Sequence, residues 1–546
     1  MFKNYILDIL QKSLSKIGIE QREIIIEYPK NSDFGDISTN IAMQLARELK
    51  KSPRAIAQEI IDNLEYDANF ITAVNIAGAG FINFKLGKSY FHFICENIAG
   101  FGENFGSSDF GIGKKAQIEY VSANPTGLLH LGHGRNAVIG DTLANIYKKL
   151  GFTTDREYYF NNAGNQMRNL ARSIFARYHQ LLGESDYPFP EDGYHGDYII
   201  EIAQELIDLY GNKFAEDNTE NLAFFQKYGE EWNFKRIKST LERLNVFQDT
   251  YYNENTLYES GKIEQLLNEL KENNLVYELD NALWLKLSQM GMEEDRVAVK
   301  SSGEPTYRLP DIAYHIEKFK RGYDEMVDIF GSDHIATYPD VLAVLKALGY
   351  DVNKVKVVIY QFITLVENGE QVKMSKRSGK SYTLDELIDE VGSDVVRYFF
   401  LMRGVNTHLE FDLGLAKEQS EKNPVFYLQY AHARICSIFQ KAKEEGIYLS
   451  QNHYITELSE QIEFDLIKKI ADFPEIIFES YKTLEPHIIC DYLYDLAGIF
   501  HQFYHNCRIL QESDPLRQAR LHLANTTRIT LKNGLQILGI SAPEKM

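Results

Sequence analysis

The segment that most constrains the fold is residues 116–160, where strand, loop, helix and strand patterns follow one another. AQIEYVSA at 116–123 is a strand pattern, and the loop NPTGLLHLGHG leads from it into a helix from about Arg135 to Leu150. REYYF then gives a second strand after Gly151. This order is typical of a parallel α/β sheet, in which ligands bind at the carboxyl ends of the strands.

The flanking regions predict two further domains, as expected for a chain of 546 residues. Residues 1–110 form a small α/β domain, in which ITAVNI and FINFKL are strands around a Gly-Ala-Gly turn and a helix begins at Ser52-Pro53. Residues 111–423 contain the parallel sheet, with an insertion of mostly helical pattern at about 185–300. Residues 424–546 have helical apolar spacing almost throughout, which predicts an all-α bundle.

Charge and composition exclude several classes of protein. The net charge is −20, but residues 185–300 alone carry 11 Lys/Arg and 24 Asp/Glu, so a nucleic-acid partner elsewhere on the chain stays possible. No apolar run is long enough to cross a membrane, and charged residues interrupt the N-terminal helix where a signal peptide needs an apolar core. We therefore expect a cytoplasmic protein that does not enter a membrane. The four cysteines form no CxxC pair, which argues against a disulfide framework and a Cys-rich zinc site. We expect no zinc and no other resident metal.

The loop after the first strand of the sheet carries the sequence His130-Leu131-Gly132-His133. It lies at a helix N-terminus, where free N–H groups and the helix dipole favour phosphate. The two histidines add donors, and Gly132 allows close approach of a flat ring. The alternative is an ordinary Gly-rich turn with two surface histidines.

A second alternative is a nicotinamide-dependent oxidoreductase. Gly132-x-Gly134-x-x-Ala137 is a loose dinucleotide fingerprint, and Asp155 follows at a distance that suits a ribose. That interpretation gives the histidines no role.

The other candidate phosphate-binding segment is the basic loop Lys373-Met374-Ser375-Lys376-Arg377-Ser378-Gly379-Lys380. Four basic residues in eight, with small residues between them, suit an arm that closes on phosphates. The loop is not a Walker A sequence, because Met374 stands where that motif needs glycine. The alternative is a solvated basic turn.

Together the two strings resemble the HIGH and KMSKS signatures of class I aminoacyl-tRNA synthetases, as HLGH at 130–133 and KMSKR at 373–377. EYVSANPTG, REYYFNNAGNQ, PTYRLPDIAYH and the C-terminal LKNGLQILGISAPEKM resemble the arginyl-tRNA synthetase family, and FGDISTNIAMQLA resembles its added N-terminal domain. The resemblance covers essentially the whole chain. Asn162 and the Leu309-Pro310 pair depart from the usual family pattern.

The resemblance implies a Rossmann-like catalytic domain with an insertion, an N-terminal tRNA-binding domain and a C-terminal anticodon-binding bundle. It implies that ATP activates L-arginine to arginyl-adenylate, with Mg²⁺ accompanying ATP, and that the arginyl group passes to tRNA(Arg). It also implies a monomer that needs bound tRNA for activation. A non-catalytic RNA-binding module is the remaining alternative class.

The site residues are carried over from the family motifs. By resemblance the catalytic residues are His130, Gly132, His133, Lys373 and Lys376. The ATP-binding residues are Asn124, Pro125, His130, His133, Asp333, His334, Met374, Ser375 and Lys376. The arginine-binding residues are Glu119, Ser122, Asn124, Tyr307 and Asp311.

Physical chemistry supports the last pair independently. A guanidinium cannot be deprotonated and pairs best with a carboxylate. Tyr307 and Asp311 are four residues apart, so one helical face would carry both. Pro310 fits this helix only in its first turn.

Overall fold

The first domain is a four-stranded antiparallel sheet covered by helices. The computed structural model describes residues 3–20, 22–29, 34–160, 162, 164–332, 335–372 and 382–546. Within these ranges, the first domain contains α1 (Asn4–Lys16), β1 (Ile26–Glu27), β2 (Ile37–Thr39), α2 (Ile41–Leu49), α3 (Pro53–Asp62), β3 (Ile71–Ala77), β4 (Phe81–Leu86) and α4 (Lys88–Phe101). The strand order is β1-β2-β4-β3. The Ser52 hydroxyl caps α3 by accepting a hydrogen bond from the Ala55 N–H at 3.3 Å, as its sequence predicts.

The central region is built on a five-stranded parallel sheet. Its elements are β5 (Lys115–Glu119), α5 (Leu131–Lys149), β6 (Thr153–Phe160), α6 (Asn165–Leu181), α7 (Asp197–Tyr210), α8 (Thr219–Arg243), β7 (Thr250–Asn253), α9 (Asn255–Glu259), α10 (Lys262–Glu272), β8 (Val276–Leu279), β9 (Ala282–Leu285), β10 (Arg296–Val299), α11 (Arg308–Lys320), β11 (Glu325–Gly331), α12 (Tyr338–Ala347) and β12 (Val355–Tyr360). The strand order is β12-β11-β5-β6-β7, and each neighbouring pair is parallel. The predicted parallel α/β fold is confirmed.

Two details of the central region differ from the sequence interpretation. Residues 185–300 are not purely an insertion, because β7 within them is the edge strand of the main sheet and pairs with β6. They also contain a small antiparallel sheet, β10-β9-β8, besides their helices. Four-residue strands such as β7 are too short to interrupt a helical pattern of apolar residues clearly.

The apolar run VKVVIYQFITLV at 355–366 forms two strands that lie in different sheets. After β12, the chain continues through β13 (Ile363–Glu367), β14 (Glu370–Gln371), α13 (Leu384–Val391), α14 (Ser393–Leu401), β15 (Leu409–Asp412) and α15 (Leu413–Lys417). β13 lies in a second sheet, of order β14-β13-β15. An unbroken apolar run shows no break where the chain leaves one sheet for the next.

The C-terminal region is helical, as predicted. It consists of α16 (Pro424–Glu444), α17 (Gln461–Ala471), α18 (Phe473–Thr483), α19 (His487–Asn506) and α20 (Asp514–Ile537). The buried Arg397 on α14 joins it to the central region. The guanidinium donates to the Leu538 and Leu244 carbonyls and to the Asp141 carboxylate, each at 2.7 Å. Within the described ranges, no helix is both long and apolar enough to cross a bilayer.

Candidate active site

The two histidines begin α5, four residues earlier than the sequence predicts. His130 is the N-cap, and its Nδ1 accepts a hydrogen bond from the Gly132 N–H at 3.1 Å. The backbone N–H of His130 donates in turn to Nδ1 of His133 at 3.3 Å. Because both Nδ1 atoms accept, each neutral ring carries its hydrogen on Nε2, which is then a donor. The turn therefore supplies two imidazole donors beside a helix N-terminus.

Both rings are neutral at physiological pH. Burial lowers the pKa of His130, and burial together with the neighbouring His130 lowers the pKa of His133 to about 3. The rings stack with their centroids 3.7 Å apart, which suits two uncharged imidazoles. A Cβ on Gly132 would lie 3.0 Å from Cε1 of His130, so glycine keeps the cap free of crowding. The site can thus contact phosphate through neutral donors.

The strand before this loop ends earlier than predicted, in a strained turn. β5 stops at Glu119, and after one further residue Val121 and Ser122 have left-handed φ values of 70° and 41°. This conformation is costly for a β-branched residue. The buried Asn136 on α5 holds the turn, since its Oδ1 accepts from the Val121 N–H at 2.7 Å and its amide donates to the Ile329 carbonyl at 2.9 Å. Sequence reasoning missed Asn136, because α5 contains several polar residues and nothing in the sequence distinguishes this one.

The turn gathers three residues predicted to bind arginine. The Ser122 hydroxyl donates to Glu119 at 3.0 Å and accepts from the Tyr159 N–H at 3.1 Å. The Asn124 amide donates to the Gln166 side chain at 2.6 Å. The next residue in the chain, Pro125, is buried. Glu119, Ser122 and Asn124 therefore all lie at the carboxyl end of β5.

The Tyr307–Asp311 pair lies at the start of α11. The Asp311 N–H donates to the Tyr307 carbonyl at 3.2 Å, so the pair spans one helical turn, and Pro310 is the third helical residue, where its ring is tolerated. The Tyr307 side chain is 70% exposed. Asp311 is partly buried.

The carboxylate of Asp311 has no side-chain donor or ion pair among the residues that the structure describes. Burial raises its pKa to about 7; His315 and Lys318 oppose the rise, whereas Glu119 and Glu254 reinforce it. An acidic group in this state gains most from a bound cation. The position suits a guanidinium.

Glu254 is a further acidic residue that sequence reasoning missed. It is 5% exposed, directly follows β7, and accepts a hydrogen bond from the Tyr159 hydroxyl at 2.8 Å. Burial raises its pKa. An acidic residue directly after a strand was a usable signal, but β7 itself was not recognised.

The dinucleotide alternative does not fit the structure. Asp155 is the third residue of β6, so it lies toward the amino end of the strand, opposite the edge where a ribose would bind. Its carboxylate accepts hydrogen bonds from Thr250 and Tyr323. Gly134 serves packing, because a Cβ there would lie 2.7 Å from Cδ1 of Leu384.

The remaining predicted residues lie outside the described part of the chain. These are Asp333, His334, Lys373, Met374, Ser375 and Lys376. The chain just after the basic loop is described, and it lies against the histidine turn. Thr383 forms an isolated β-bridge with His130, and the Leu384 N–H donates to the Leu129 carbonyl at 2.9 Å.

Comparison with known proteins covers almost the whole chain. Residues 4–86 match the family model for the arginyl tRNA synthetase N terminal domain, residues 106–398 that for the class I (R) tRNA synthetase catalytic domain, and residues 428–546 that for the DALR anticodon binding domain. The arginine–tRNA ligase of Bacillus licheniformis is 45% identical over 100% of this chain and 99% of its own length. That of Salinibacter ruber is 46% identical over the full length of both chains. A putative arginyl-tRNA synthetase structure from Campylobacter jejuni has a TM-score of 0.78 and 32% identity, and covers 84% of this chain and 100% of its own.

Proposed function

The chain belongs to the arginyl-tRNA synthetase family and is a class I arginine–tRNA ligase, and from this premise we propose how its residues divide the reaction. The reaction has two steps. The arginine carboxylate attacks the α-phosphate of ATP, which gives arginyl-adenylate and pyrophosphate. A ribose hydroxyl of the 3′-terminal adenosine of tRNA then takes the arginyl group and releases AMP. Because the reacting groups already carry the necessary charge, the enzyme mainly positions them and neutralises phosphate.

Arginine binds with its guanidinium on Asp311. The observation that carries this assignment is a carboxylate without a partner among the described residues, in surroundings that contain Glu119 and Glu254. The exposed Tyr307 ring supplies a stacking face or a hydrogen bond at the entrance. Ser122 and Asn124, at the end of β5, line the part of the pocket nearer the reacting carboxylate.

ATP binds along the histidine turn, with Asn124 and Pro125 beside it. His130 and His133 contact the phosphates through Nε2–H donors, and Gly132 leaves room for this approach. Neutral donors at a helix N-terminus stabilise phosphate without the cost of holding two like charges together. Asp333 and His334 belong to the adenosine side of the site, by resemblance to the family.

Lys373 and Lys376 stabilise the departing pyrophosphate, and Met374 and Ser375 bind ATP, by resemblance to the family. Support comes from Thr383, which pairs with His130. Lys376 is only seven residues from Thr383, a separation that an extended chain spans with at most ~25 Å. Chain length therefore sets an upper limit on the distance between Lys376 and the histidine turn. Mg²⁺ accompanies the ATP phosphates as part of the substrate.

The three regions divide the work on tRNA(Arg). We assign residues 1–110 to tRNA binding, 111–423 to catalysis and 424–546 to the anticodon; the catalytic and anticodon-binding family models support the last two assignments. The arginyl group passes to the 2′-hydroxyl, and bound tRNA is needed for activation, as the family resemblance implies. The enzyme acts as a cytoplasmic monomer.

The test compares Lys376→Ala with Lys380→Ala, which lies past the signature on the same loop. The assay is ATP–pyrophosphate exchange with arginine and saturating tRNA. If Lys376 contacts the pyrophosphate as charge builds, its loss lowers the exchange rate at least tenfold more than that of Lys380, with tRNA affinity unchanged. Equal losses that fade as salt rises would show general electrostatic steering and remove Lys376 from the site.

A further inference from the structure

Three buried carboxylates lie side by side across the parallel sheet. Asp328 on β11 is the register partner of Glu119 on β5, which is in turn the partner of Glu157 on β6. Their exposures are 0%, 5% and 0%. Register partners on adjacent parallel strands point to the same face of a sheet. We call these three residues the carboxylate row.

Helix α11 covers the row and pairs with all of it. The Lys318 ammonium donates to both Asp328 and Glu119, and the His315 ring is hydrogen-bonded to Asp328 at 2.9 Å. At the other end of the row, Glu157 accepts from the Tyr314 hydroxyl at 2.6 Å and from the Arg321 guanidinium. These helical residues are three or four apart, so they form one stripe. The row therefore fixes the rotation and height of α11 on the sheet.

Asp311 lies on the same stripe, four residues before His315 and seven before Lys318. Unlike the row, it has no ion pair among the described residues. Lys318 is fully buried, and although burial alone would lower its pKa, Asp328 and Glu119 raise it, so the ammonium stays charged. Lys318 and Arg321 are both ion-paired with carboxylates of the row. Among the described residues, Asp311 therefore has neither a cation nor a side-chain donor, whereas Glu254, which also lacks an ion pair, accepts a hydrogen bond from the Tyr159 hydroxyl.

We propose that Lys318 is a positioning residue for arginine recognition, which locks α11 onto the carboxylate row and, by pairing with Glu119, leaves Asp311 as the carboxylate that receives the guanidinium. The proposal rests on the proposed arginine site. Without Lys318, Glu119 would be a second unpaired carboxylate, and repulsion between the two would favour protonation of Asp311. Arginine would then have to displace a proton more often.

The groups that face Asp311 come from four elements. They are Glu119 from β5, Tyr159 from β6, Glu254 and Tyr258 from the segment after β7, and His315 and Lys318 from α11 itself. A positive charge removed from this set favours the protonated carboxyl, and a negative charge removed nearby favours the carboxylate. Lys318 belongs to this set, and Asp328 is the carboxylate that pairs with Lys318 and His315, so substitutions at Lys318 and at Asp328 should act on arginine binding in opposite directions.

The experiment measures the arginine KM for tRNA aminoacylation from about pH 5.5 to about pH 8.5, at saturating ATP and tRNA. In the wild type the KM falls as Asp311 loses its proton and then levels off. Lys318→Met should move the pH at which the KM levels off to a higher value. The KM at pH 7 should rise about tenfold, and kcat should change less than about threefold. Below the pH at which the KM levels off, a tenfold change in KM corresponds to a movement of one pH unit. Asp328→Asn keeps the shape of the side chain and should move the pH at which the KM levels off to a lower value.

Lys320→Met is the matched control, because it makes the same change on the solvent face of α11, where the side chain is 56% exposed. The pH at which its KM levels off should stay at the wild-type value. A rise in KM that is uniform across pH in both test variants, or an equal shift in Lys320→Met, would overturn the proposal. If Lys318→Met does not fold, the nearly isosteric Asp328→Asn decides alone: a downward shift supports the proposal and no shift overturns it.

The wild-type profile separates this proposal from its premise. A wild-type KM that does not change with pH would overturn the assignment of Asp311, and the proposal with it. If the wild-type KM does change with pH, but substitutions at Lys318 and Asp328 leave the pH of that change unmoved, only the role of Lys318 is overturned.

Discussion

Replacing Asp311 by Asn should weaken arginine binding and at the same time stabilise the folded protein. Asn keeps the size of the side chain but removes the charge that faces the guanidinium. The lost hydrogen bond to a charged partner is worth ~1.5–3 kcal/mol, or about 10–150-fold in kcat/KM for arginine. The ATP KM should change little, because Asp311 faces the other substrate.

The gain in stability follows from the pKa. In the unfolded chain Asp311 loses its proton near the ordinary value of 3.8, whereas burial raises its pKa to about 7 in the folded protein. Between these values the folded state binds the extra proton, so the free energy of unfolding falls as pH rises through this window. At about 1.4 kcal/mol per pH unit, the ceiling on this cost above pH 7 is about 4 kcal/mol. The neutral amide of the Asp311→Asn variant would not have this cost.

Two assays check the prediction together. Urea unfolding at pH 5 and pH 8, read by circular dichroism, should show that Asp311→Asn gains stability relative to the wild type as pH rises. Aminoacylation at the same pH values should show an arginine KM that depends on pH in the wild type and not in the variant. A variant that is less stable at pH 8, with an unchanged arginine KM, would identify Asp311 as a structural residue and refute the reasoning.

The remaining predictions concern α5, which the two histidines begin. His133→Ala removes a phosphate donor and also the group that accepts a hydrogen bond from the His130 N–H. It should lower the rate of arginyl-adenylate formation by ~10²–10³-fold without weakening arginine binding. Single-turnover rates within threefold of wild type, for this variant and for His130→Ala, would contradict this prediction. Gly140→Ala places a Cβ 2.2 Å from Cγ of the buried Tyr120, so it should cost ~1–3 kcal/mol by urea unfolding and raise the arginine KM by displacing the turn at Val121. Unchanged stability would show that α5 and β5 separate easily.

Local patterns were enough to predict the fold. The order of strands and helices predicts the parallel sheet, and the Ser52 cap and the strand pair around Gly78–Gly80 are as expected. Errors arose where tertiary context overrides local preference. β5 was predicted through residue 123 because Val121 favours strands, but the structure holds Val121 and Ser122 in left-handed conformations through Asn136.

The candidate site was only partly visible in the sequence. His130 and His133 are close in the chain, so a motif reveals them, and the helical spacing of Tyr307 and Asp311 predicts one turn. Glu254 was not recognised, because its position depends on an edge strand of four residues. The carboxylate row could not be predicted, since its members lie at 119, 157 and 328 and become neighbours only through the register of three strands.

The row explains how the pocket can keep one carboxylate unpaired. A buried charge without a partner is costly, and several such charges within one helix–sheet interface would destabilise it. Here Lys318, Arg321 and His315 satisfy every carboxylate of the row, and the Tyr159 hydroxyl donates to Glu254, so among these described carboxylates Asp311, at the end of the stripe, is the one with neither an ion pair nor a side-chain donor. Because the same contacts fix α11 on the sheet, the unpaired carboxylate is also held in one place. A neutral side chain in the pocket would leave that cost uncompensated, whereas a guanidinium removes it, and discrimination in favour of arginine follows from the charge that the fold leaves unpaired.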